Sequence, residues 1–191
     1  MPTNPPDHLN NIERALIDKL RTGTYTTTTG SATAWSSGDV EVYGQYPTTD
    51  DVHYPSIITE MVANGMEQQF MGQKLTNNAG TDARGELYGV GFNIHIMVDS
   101  ESSITVTNTT SGGEVAQPYR ERRLLNYLML NCANVLMDLD FSNITKGATG
   151  TPAATEVDQR MFSGFRDLAY NPELDLWMAT ASMVVVFKNS R

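Results

Sequence analysis

Residues 118–139 read PYRERRLLNYLMLNCANVLMDL, and this stretch decides the fold because it predicts one long amphipathic helix. Proline suits the first turn of a helix, and Asn143 and Gly147 break the pattern after Leu139. Apolar side chains recur at helical spacing throughout, so the apolar stripe is broad. The helix is therefore expected to pack against a sheet or another helix, with the single cysteine, Cys132, as a core residue.

A second decisive stretch is residues 174–188, which read LDLWMATASMVVVFK and predict a long strand. Alternate residues from Trp177 to Phe187 are apolar or small, which defines one buried face. The other face becomes apolar towards its end, at Val184 and Val186. We therefore expect a central strand that is covered on both sides over its second half.

The remaining elements lie before the long helix. A first helix is expected from Asp7 to Arg21, where apolar residues recur at helical spacing and Gly23 follows. Two strands on either side of Asn64-Gly65 are expected to form a hairpin, because Asn-Gly is a favoured two-residue turn. The predicted strands of this region are 39–46, 55–63, 66–75 and, most clearly, 85–99.

The order helix, strands, long helix, final strand predicts an α+β domain with a mostly antiparallel sheet packed by two helices. A chain of 191 residues with 40% hydrophobic residues supports one core, so a single domain over residues 1–191 is expected. Segments 24–38 and 142–158 are rich in small and polar residues. The first is expected to form an extended, flexible loop or an edge strand, and the second a flexible loop that becomes ordered on a partner.

The net charge of the chain argues against one class of function, nucleic-acid binding. The chain has 22 acidic and 13 basic residues and a net charge of −9, which argues against sequence-independent nucleic-acid binding as its main task. An acidic chain poor in lysine and rich in threonine suits a protein made in high salt. No apolar run approaches the ~20 residues that cross a bilayer, and Met1 to Pro6 lacks the regions of a signal peptide. Synthesis in the cytoplasm and no membrane association are expected.

Candidate catalytic groups are scarce. The histidines His8, His53 and His95 are scattered, and His95 is the most interesting because it lies in the strand 85–99, on the face opposite its apolar residues. It is expected to be a surface or interface residue, since no partnered nucleophile is apparent.

Metal and cofactor motifs are equally weak. Asp50-Asp51-Val52-His53 offers metal ligands without a second cluster, and Asp138 and Asp140 do not share a helix face. Gly89-Val90-Gly91 has Ile94 where a dinucleotide fingerprint needs its third glycine. No catalytic residue, no metal site and no cofactor is therefore predicted, and the chain is expected not to be an enzyme.

Residues 117–189 resemble the second half of the tail terminator, or tail completion, proteins of tailed bacterial and archaeal viruses. The resemblance is carried by PYRERR at residues 118–123, by GFRDLAYNPELDLW at residues 164–177 and by the long final strand. In that family a helix, an antiparallel sheet, a second helix and a last strand form a small α+β subunit, and six subunits close a ring. The ring caps the finished tail tube and joins the connector of the capsid.

The resemblance implies a structural virion protein at the head–tail neck, assembled in the host cytoplasm as a homohexameric ring. Its implied partners are the tail tube protein and the head–tail connector or adaptor, and DNA passes through the lumen only as cargo. An adaptor or stopper ring of the same region is the alternative. The long segments 24–38 and 142–158 depart from the smaller members of the family, so the details of the ring contacts are open.

Ring closure needs a heterologous interface, in which one patch of each subunit meets a different patch of the next. On an acidic chain, a basic cluster at the start of the long helix suits one patch, and acidic residues suit the other. From a different class, the chain could be a small ligand-binding or hydrolytic α+β domain that uses His53, His95 and scattered acids. The predicted interface residues are Arg120, Arg122 and Arg123 on the basic side and Glu156, Asp158, Glu173 and Asp175 on the acidic side.

Overall fold

The computed structural model describes residues 8–47, 52–76, 82–110, 113–139 and 156–190. Within these ranges the order of helices and strands confirms the predicted α+β class. The elements are α1 His8–Thr22, β1 Thr24–Thr27, β2 Gly30–Thr33, β3 Glu41–Tyr43, β4 Ser56–Thr76, β5 Asp82–Asp99, β6 Ser103–Thr110, β7 Gly113–Arg120, α2 Glu121–Met137, β8 Glu156–Asn171 and β9 Leu176–Ser190.

The main sheet has five strands in the order β3-β4-β5-β9-β8. Only β3 pairs in parallel, with β4, so the predicted mostly antiparallel sheet is confirmed. The final strand β9 lies between β5 and β8, as its predicted central position requires. Two hairpins, β1-β2 and β6-β7, stand outside this sheet.

Both helices cover one face of the sheet. Phe92, Ile94, Ile96 and Val98 of β5 are at most 1% exposed, which confirms the alternation predicted for this strand. Burying an apolar side chain of this size contributes about 1.5–3 kcal/mol, so this face dominates the stability of the fold. The helices contribute matching apolar residues, which are Ile12, Leu16 and Leu20 from α1 and Leu124, Leu125, Leu128, Cys132, Val135 and Leu136 from α2.

The other face of the sheet is not covered by either helix, and it is exposed at the middle of β9. Ser182 of β9 is exposed and Val184 is half-buried, while Val186 is 8% exposed. The prediction that the second half of this strand is covered on both sides is therefore wrong for its middle. In the described part of the chain no helix packs there, because α1 and α2 both lie on the opposite side.

The hairpin predicted at Asn64-Gly65 is also wrong. One strand, β4, continues through these residues, which fall in a register shift between Met61 and Met66. Because β5 extends back to Asp82, it offers β4 a hydrogen-bonding partner along its full length. A continuous strand pairing, even with its register shifts, satisfies more backbone groups than a turn at this point would.

The long helix begins later than predicted. Pro118 lies in β7, opposite Thr105 of β6, and α2 begins at Glu121 and ends at Met137. Proline is tolerated in a short two-stranded hairpin because the missing N–H can lie on the free edge. The C-terminal end of α2 is held by Arg160 of β8, whose Nη2 donates to the Met137 carbonyl at 2.7 Å.

The first of the two segments expected to be loops is described in full and contains strands, which is the alternative expected for it. Residues 24–33 form the β1-β2 hairpin, and Trp35 that follows is only 2% exposed. Residues 142–155 lie outside the described residues, but 156–158 begin β8, a strand that the sequence pattern did not predict. Register shifts interrupt the pairing of β8 with β9 at three places, so its alternation of apolar residues is broken.

Gly23 joins α1 to the β1-β2 hairpin. Its backbone has a φ of +57°, and its N–H bonds to Leu20 and Lys19 carbonyls at the end of the helix. Trp35 packs directly over it and donates from Nε1 to the Leu20 carbonyl at 3.0 Å. A Cβ on residue 23 would stand 2.6 Å from Trp35 Nε1, so only glycine fits both the conformation and the space.

We predict that Gly23→Ala destabilises the protein by about 2–4 kcal/mol, through positive φ and collision with Trp35. Gly164→Ala is the matched control because Gly164 has a φ of +77° but no atom lies within 4 Å of the position that a Cβ would take there. The control should cost only about 1 kcal/mol. Urea unfolding midpoints measure both, and equal losses would show that the Trp35 contact does not matter.

Candidate interaction surface

The basic cluster lies at the junction between β7 and α2. Arg120 is the last residue of β7 and has an extended backbone, and Arg122 and Arg123 lie in the first turn of the helix. All three are exposed. Arg123 is held by its own chain, since its Nη2 donates to Gln117 Oε1 at 3.1 Å and its Cζ lies 3.9 Å above the Tyr119 ring. Within the described ranges, Arg120 and Arg122 have no such partner.

This junction is also electrostatically unfavourable. No side chain caps the N-terminus of α2, where the helix dipole is positive, and the cations there add like charge. Each such cation costs a few tenths of a kcal/mol, which Glu121 in the first turn offsets in part. Glu121 itself has a φ of +48°, a conformation that costs a non-glycine residue about 1 kcal/mol. An acidic partner would relieve the repulsion.

Two of the four predicted acidic residues lie at the same end of the sheet as the arginines. Glu173 and Asp175 lie in the turn between β8 and β9, and Asp175 bonds to Ser100, just after β5. Tyr170 also donates to Asp175 Oδ1 at 2.7 Å. These hydrogen bonds, first from Ser100 and then from Tyr170, hold the pKa of Asp175 below its ordinary value. Asp175 is therefore engaged within its own subunit.

The other two acidic residues, Glu156 and Asp158, lie at the opposite end. By register, Glu156 pairs with Lys188, whereas Asn171 at the other end of β8 pairs with Leu176 beside the turn. The 16 residues of β8 span roughly 45–50 Å at about 3.3 Å per residue. The structure thus separates the predicted acidic set into one pair beside the basic cluster and one pair far from it.

His95 lies on the face of the sheet away from the helices, opposite Ile94 and Ile96 in orientation, as predicted, and its side chain is 16% exposed. Its Nδ1 is 2.9 Å from Thr180 Oγ1 on β9, and its Nε2 is 3.6 Å from Glu60 Oε2 on β4. The Tyr46 ring lies 5.3 Å from the imidazole ring, and burial followed by the charge of Glu60 raises the pKa of Tyr46. Sequence analysis missed these partners because they are set by strand register.

Three neighbouring side chains have the order nucleophile, base and acid: Thr180, His95 and Glu60. Their arrangement nevertheless does not complete an acyl-transfer site. Thr180 lies in the middle of β9 with a strand paired on each side, so the backbone N–H groups around it belong to the ladders. Such groups cannot form an oxyanion hole. The contact between Nε2 and Glu60 is also too long for a hydrogen bond.

The remaining candidate residues, His53 and Cys132, are respectively exposed and buried. The backbone N–H of His53 donates to the Tyr43 hydroxyl at 3.1 Å, and its side chain is exposed. Cys132 is fully buried, and burial raises the pKa of its thiol far above the ordinary value. Among the described residues, no group of three or more His, Cys, Asp or Glu could hold a metal ion. Asp50, Asp51 and Asp140 lie outside the described residues.

Comparison with known proteins leaves the function to be argued from the chain itself. No protein-family model and no curated protein matches this sequence. Within the described ranges, neither helix combines the length and apolarity that crossing a bilayer requires.

Asp138 joins the two helices rather than forming a carboxylate pair. Lys19 of α1 donates from Nζ to Asp138 Oδ2 at 2.8 Å, and this hydrogen bond is the main reason that the pKa of Asp138 is lowered. A lowered pKa means that the folded state favours the ionised carboxylate. The stability that this carboxylate gives the folded state is therefore fully present at pH values above its unfolded-state pKa, near 3.8. It is lost as the pH falls through the lower folded-state pKa.

We predict that Asp138→Asn removes this pH-dependent part of the stability. The difference in unfolding free energy from the unmodified chain should be largest at neutral pH and shrink below about pH 4. Asp18→Asn is the control, since Asp18 forms an exposed pair with Arg14 and should change stability by under about 0.5 kcal/mol. Chemical unfolding across this pH range measures both, and a difference that does not vary with pH would contradict the prediction.

Proposed function

We propose that this chain is a ring-forming structural subunit of a tailed virus, which acts at the head–tail neck to terminate the tail tube and to dock it to the capsid connector. The resemblance of residues 117–189 to tail terminator proteins supports this role. The described order of a helix, strands, a second helix and a last strand is similar to that family's subunit, with β8 as an additional strand before the last. The observation that carries the proposal is that Arg120 and Arg122, which have no ion-pair partner among the described residues, lie at one end of the sheet, while Glu156 and Asp158 lie in β8 at the other.

Opposite ends are what a closed ring requires. A heterologous interface joins two different patches, and these must lie on different sides of the subunit so that each copy can contact two neighbours. Arg120 and Arg122 form the first patch, because Arg123 is already held by Gln117 and Tyr119. Glu156 and Asp158, at the far end of β8, form the second. Glu173 and Asp175 lie at the same end as the arginines, and Asp175 already bonds to Ser100 and Tyr170.

Side chains rather than backbone ladders are expected to make this contact. The edges of the main sheet are β8 and the part of β4 beyond β3, and the pairing of each with its inner neighbour shows several register shifts. Bulges of this kind bend an edge strand and limit its pairing with another chain. A charged interface also explains why a chain of net charge −9 keeps an exposed basic cluster.

The ring could belong to the tail or to the head side of the joint. Electron microscopy of particles assembled without this gene product tests the role directly. Tails of uncontrolled length beside filled, tail-free heads are expected for a terminator. Normal free tails beside leaking heads would assign the chain to the adaptor or stopper instead, and intact particles would contradict the virion role.

We predict that Arg120→Glu with Arg122→Glu disrupts assembly of the purified protein. Loss of two ion pairs at each contact, at up to about 1 kcal/mol each, and the added repulsion should weaken subunit association by roughly tenfold or more. The oligomer distribution is measured by mass photometry at about 0.1 M salt, where charges act over about 10 Å.

Two matched variants define the outcome. Arg14→Glu makes the same kind of charge reversal at one exposed site on α1 and should leave the oligomers unchanged. Adding Glu156→Arg and Asp158→Arg to the arginine variant should restore assembly by exchanging the charges. Unchanged oligomers in the double arginine variant, or equal loss in Arg14→Glu, would rule out this interface.

A further inference from the structure

The outer edge of β6 is a pairing surface that the proposed ring contact does not use. Within the described ranges β6 pairs with β7 alone, and the two strands form a sheet separate from the main one. The base of this hairpin is anchored, since Ile104 is 6% exposed and Val106 is half-buried against the core. Thr107 and Val115, further along, are exposed. An isolated two-stranded hairpin is marginally stable in water, so a further strand would stabilise it.

β6 lacks the features that keep edge strands from pairing. Natural edge strands carry charged residues, prolines or bulges. Residues 103–110 read SITVTNTT, without a charge or a proline, and their pairing with β7 shows no register shift. Threonine, isoleucine and valine favour extended backbone. The edge of β6 is therefore open to another strand along its whole length.

The other free edges among the described strands are blocked or short. Register shifts interrupt the pairing of β4 and of β8 with their inner neighbours. β7 contains Pro118 and the charged residues Glu114 and Arg120. β1 and β2 have four residues each, and β3 has three. In the described part of the chain, β6 thus offers the longest regular and uncharged edge.

Pro118 indicates which backbone groups of β6 point outwards. Along an antiparallel pair of strands, residues that bond to each other alternate with residues whose N–H and C=O groups point away from the partner. Pro118 has no N–H and lies opposite Thr105, so this pair is of the second kind. Alternate residues from Ser103 to Thr109 therefore present their N–H and C=O groups to the outer edge.

We propose that β6 pairs with β6 of a second copy of this chain, antiparallel and about a two-fold axis at Val106. The outward groups set the register, in which Thr105 lies opposite Thr107 of the partner subunit and Ser103 opposite Thr109 of the partner subunit. Roughly eight backbone hydrogen bonds form, and the two hairpins become one continuous sheet.

A second copy is the occupant because β6 matches its own edge. Backbone N–H and C=O groups along an open edge are satisfied by an extended strand of similar length. Among the described strands, β6 itself has the length, the regular pairing and the lack of charge that this edge requires. In the two-fold register threonine lies opposite threonine, a favourable cross-strand pair, and no like charges meet.

This contact is independent of the proposed ring contact, which uses charged side chains at the starts of α2 and β8. Salt screens charged contacts, whereas backbone bonds between uncharged strands are little affected. At about 1 M salt, where charges act over about 3 Å, the ring should dissociate and the two-fold pair should remain. If both contacts form at low salt, rings are joined in pairs.

Sedimentation velocity of the full chain at about 1 M salt tests the proposal, and we expect dimers. Thr107→Pro should weaken the dimer by about tenfold or more, because it removes an outward N–H and its ring blocks the edge. Ala116→Pro is the matched control, since Ala116 lies opposite Thr107 and its N–H points to the outer edge of β7 instead. The control should dimerise as the unmodified chain does.

Amide hydrogen exchange of the unmodified chain gives a second measurement, which does not depend on a variant that folds. The N–H groups of Thr105 and Thr107 should exchange about tenfold more slowly in the dimer than at dilutions where monomers dominate. The N–H of Ala116 should exchange at the same rate in both, because the outer edge of β7 is not part of the contact.

Monomers at every protein concentration at this salt would overturn the proposal and leave the edge to a strand of another protein. Equal loss of the dimer in Thr107→Pro and Ala116→Pro would also overturn it, as would exchange at Thr105 and Thr107 that does not change with concentration. Dimers without rings at low salt would contradict the proposed ring and support this pairing. Rings that dissociate directly to monomers at high salt would support the ring and overturn the pairing.

Discussion

The burial of one face of β5 and β9 beneath α1 and α2 is the interaction on which the rest of the structure depends. The two strands pair without interruption from Gly85 to Asp99, and the side chains that face the helices are almost fully buried. Because one face carries the core, β4 and β8 need only extend the sheet on either side. They can therefore bulge and project without loss of the fold.

Because the helices cover one face of the main sheet, that sheet can contact another molecule only on its other face or at its edges and ends. The helices cover one face, so polar side chains such as Glu60, His95 and Thr180 gather on the other. The β6-β7 hairpin ends at the start of α2, so the arginines lie at one end of the sheet. The start of β8 lies at the other end. Arg120 and Arg122 thus lie at one end of the sheet, and Glu156 and Asp158 lie in the strand that begins at the other.

The sequence predicted the elements whose periodicity is strong and local. The helices, the alternation of β5 and the inner position of β9 follow from the spacing of apolar residues. It failed at β8 and at Asn64-Gly65, where bulges break the period and pairing with a distant strand outweighs a local turn preference. The partners of His95, and the separation of Glu156 from Glu173, depend on strand register, which no local pattern in one sequence encodes.

Cryo-electron microscopy of the purified chain tests the central claim most directly. We expect closed rings in which the start of α2 in each subunit meets the start of β8 in the next, with Arg120 and Arg122 beside Glu156 and Asp158. Monomers at every protein and salt concentration would contradict it. So would two-fold dimers joined through identical patches, because such contacts do not close a ring.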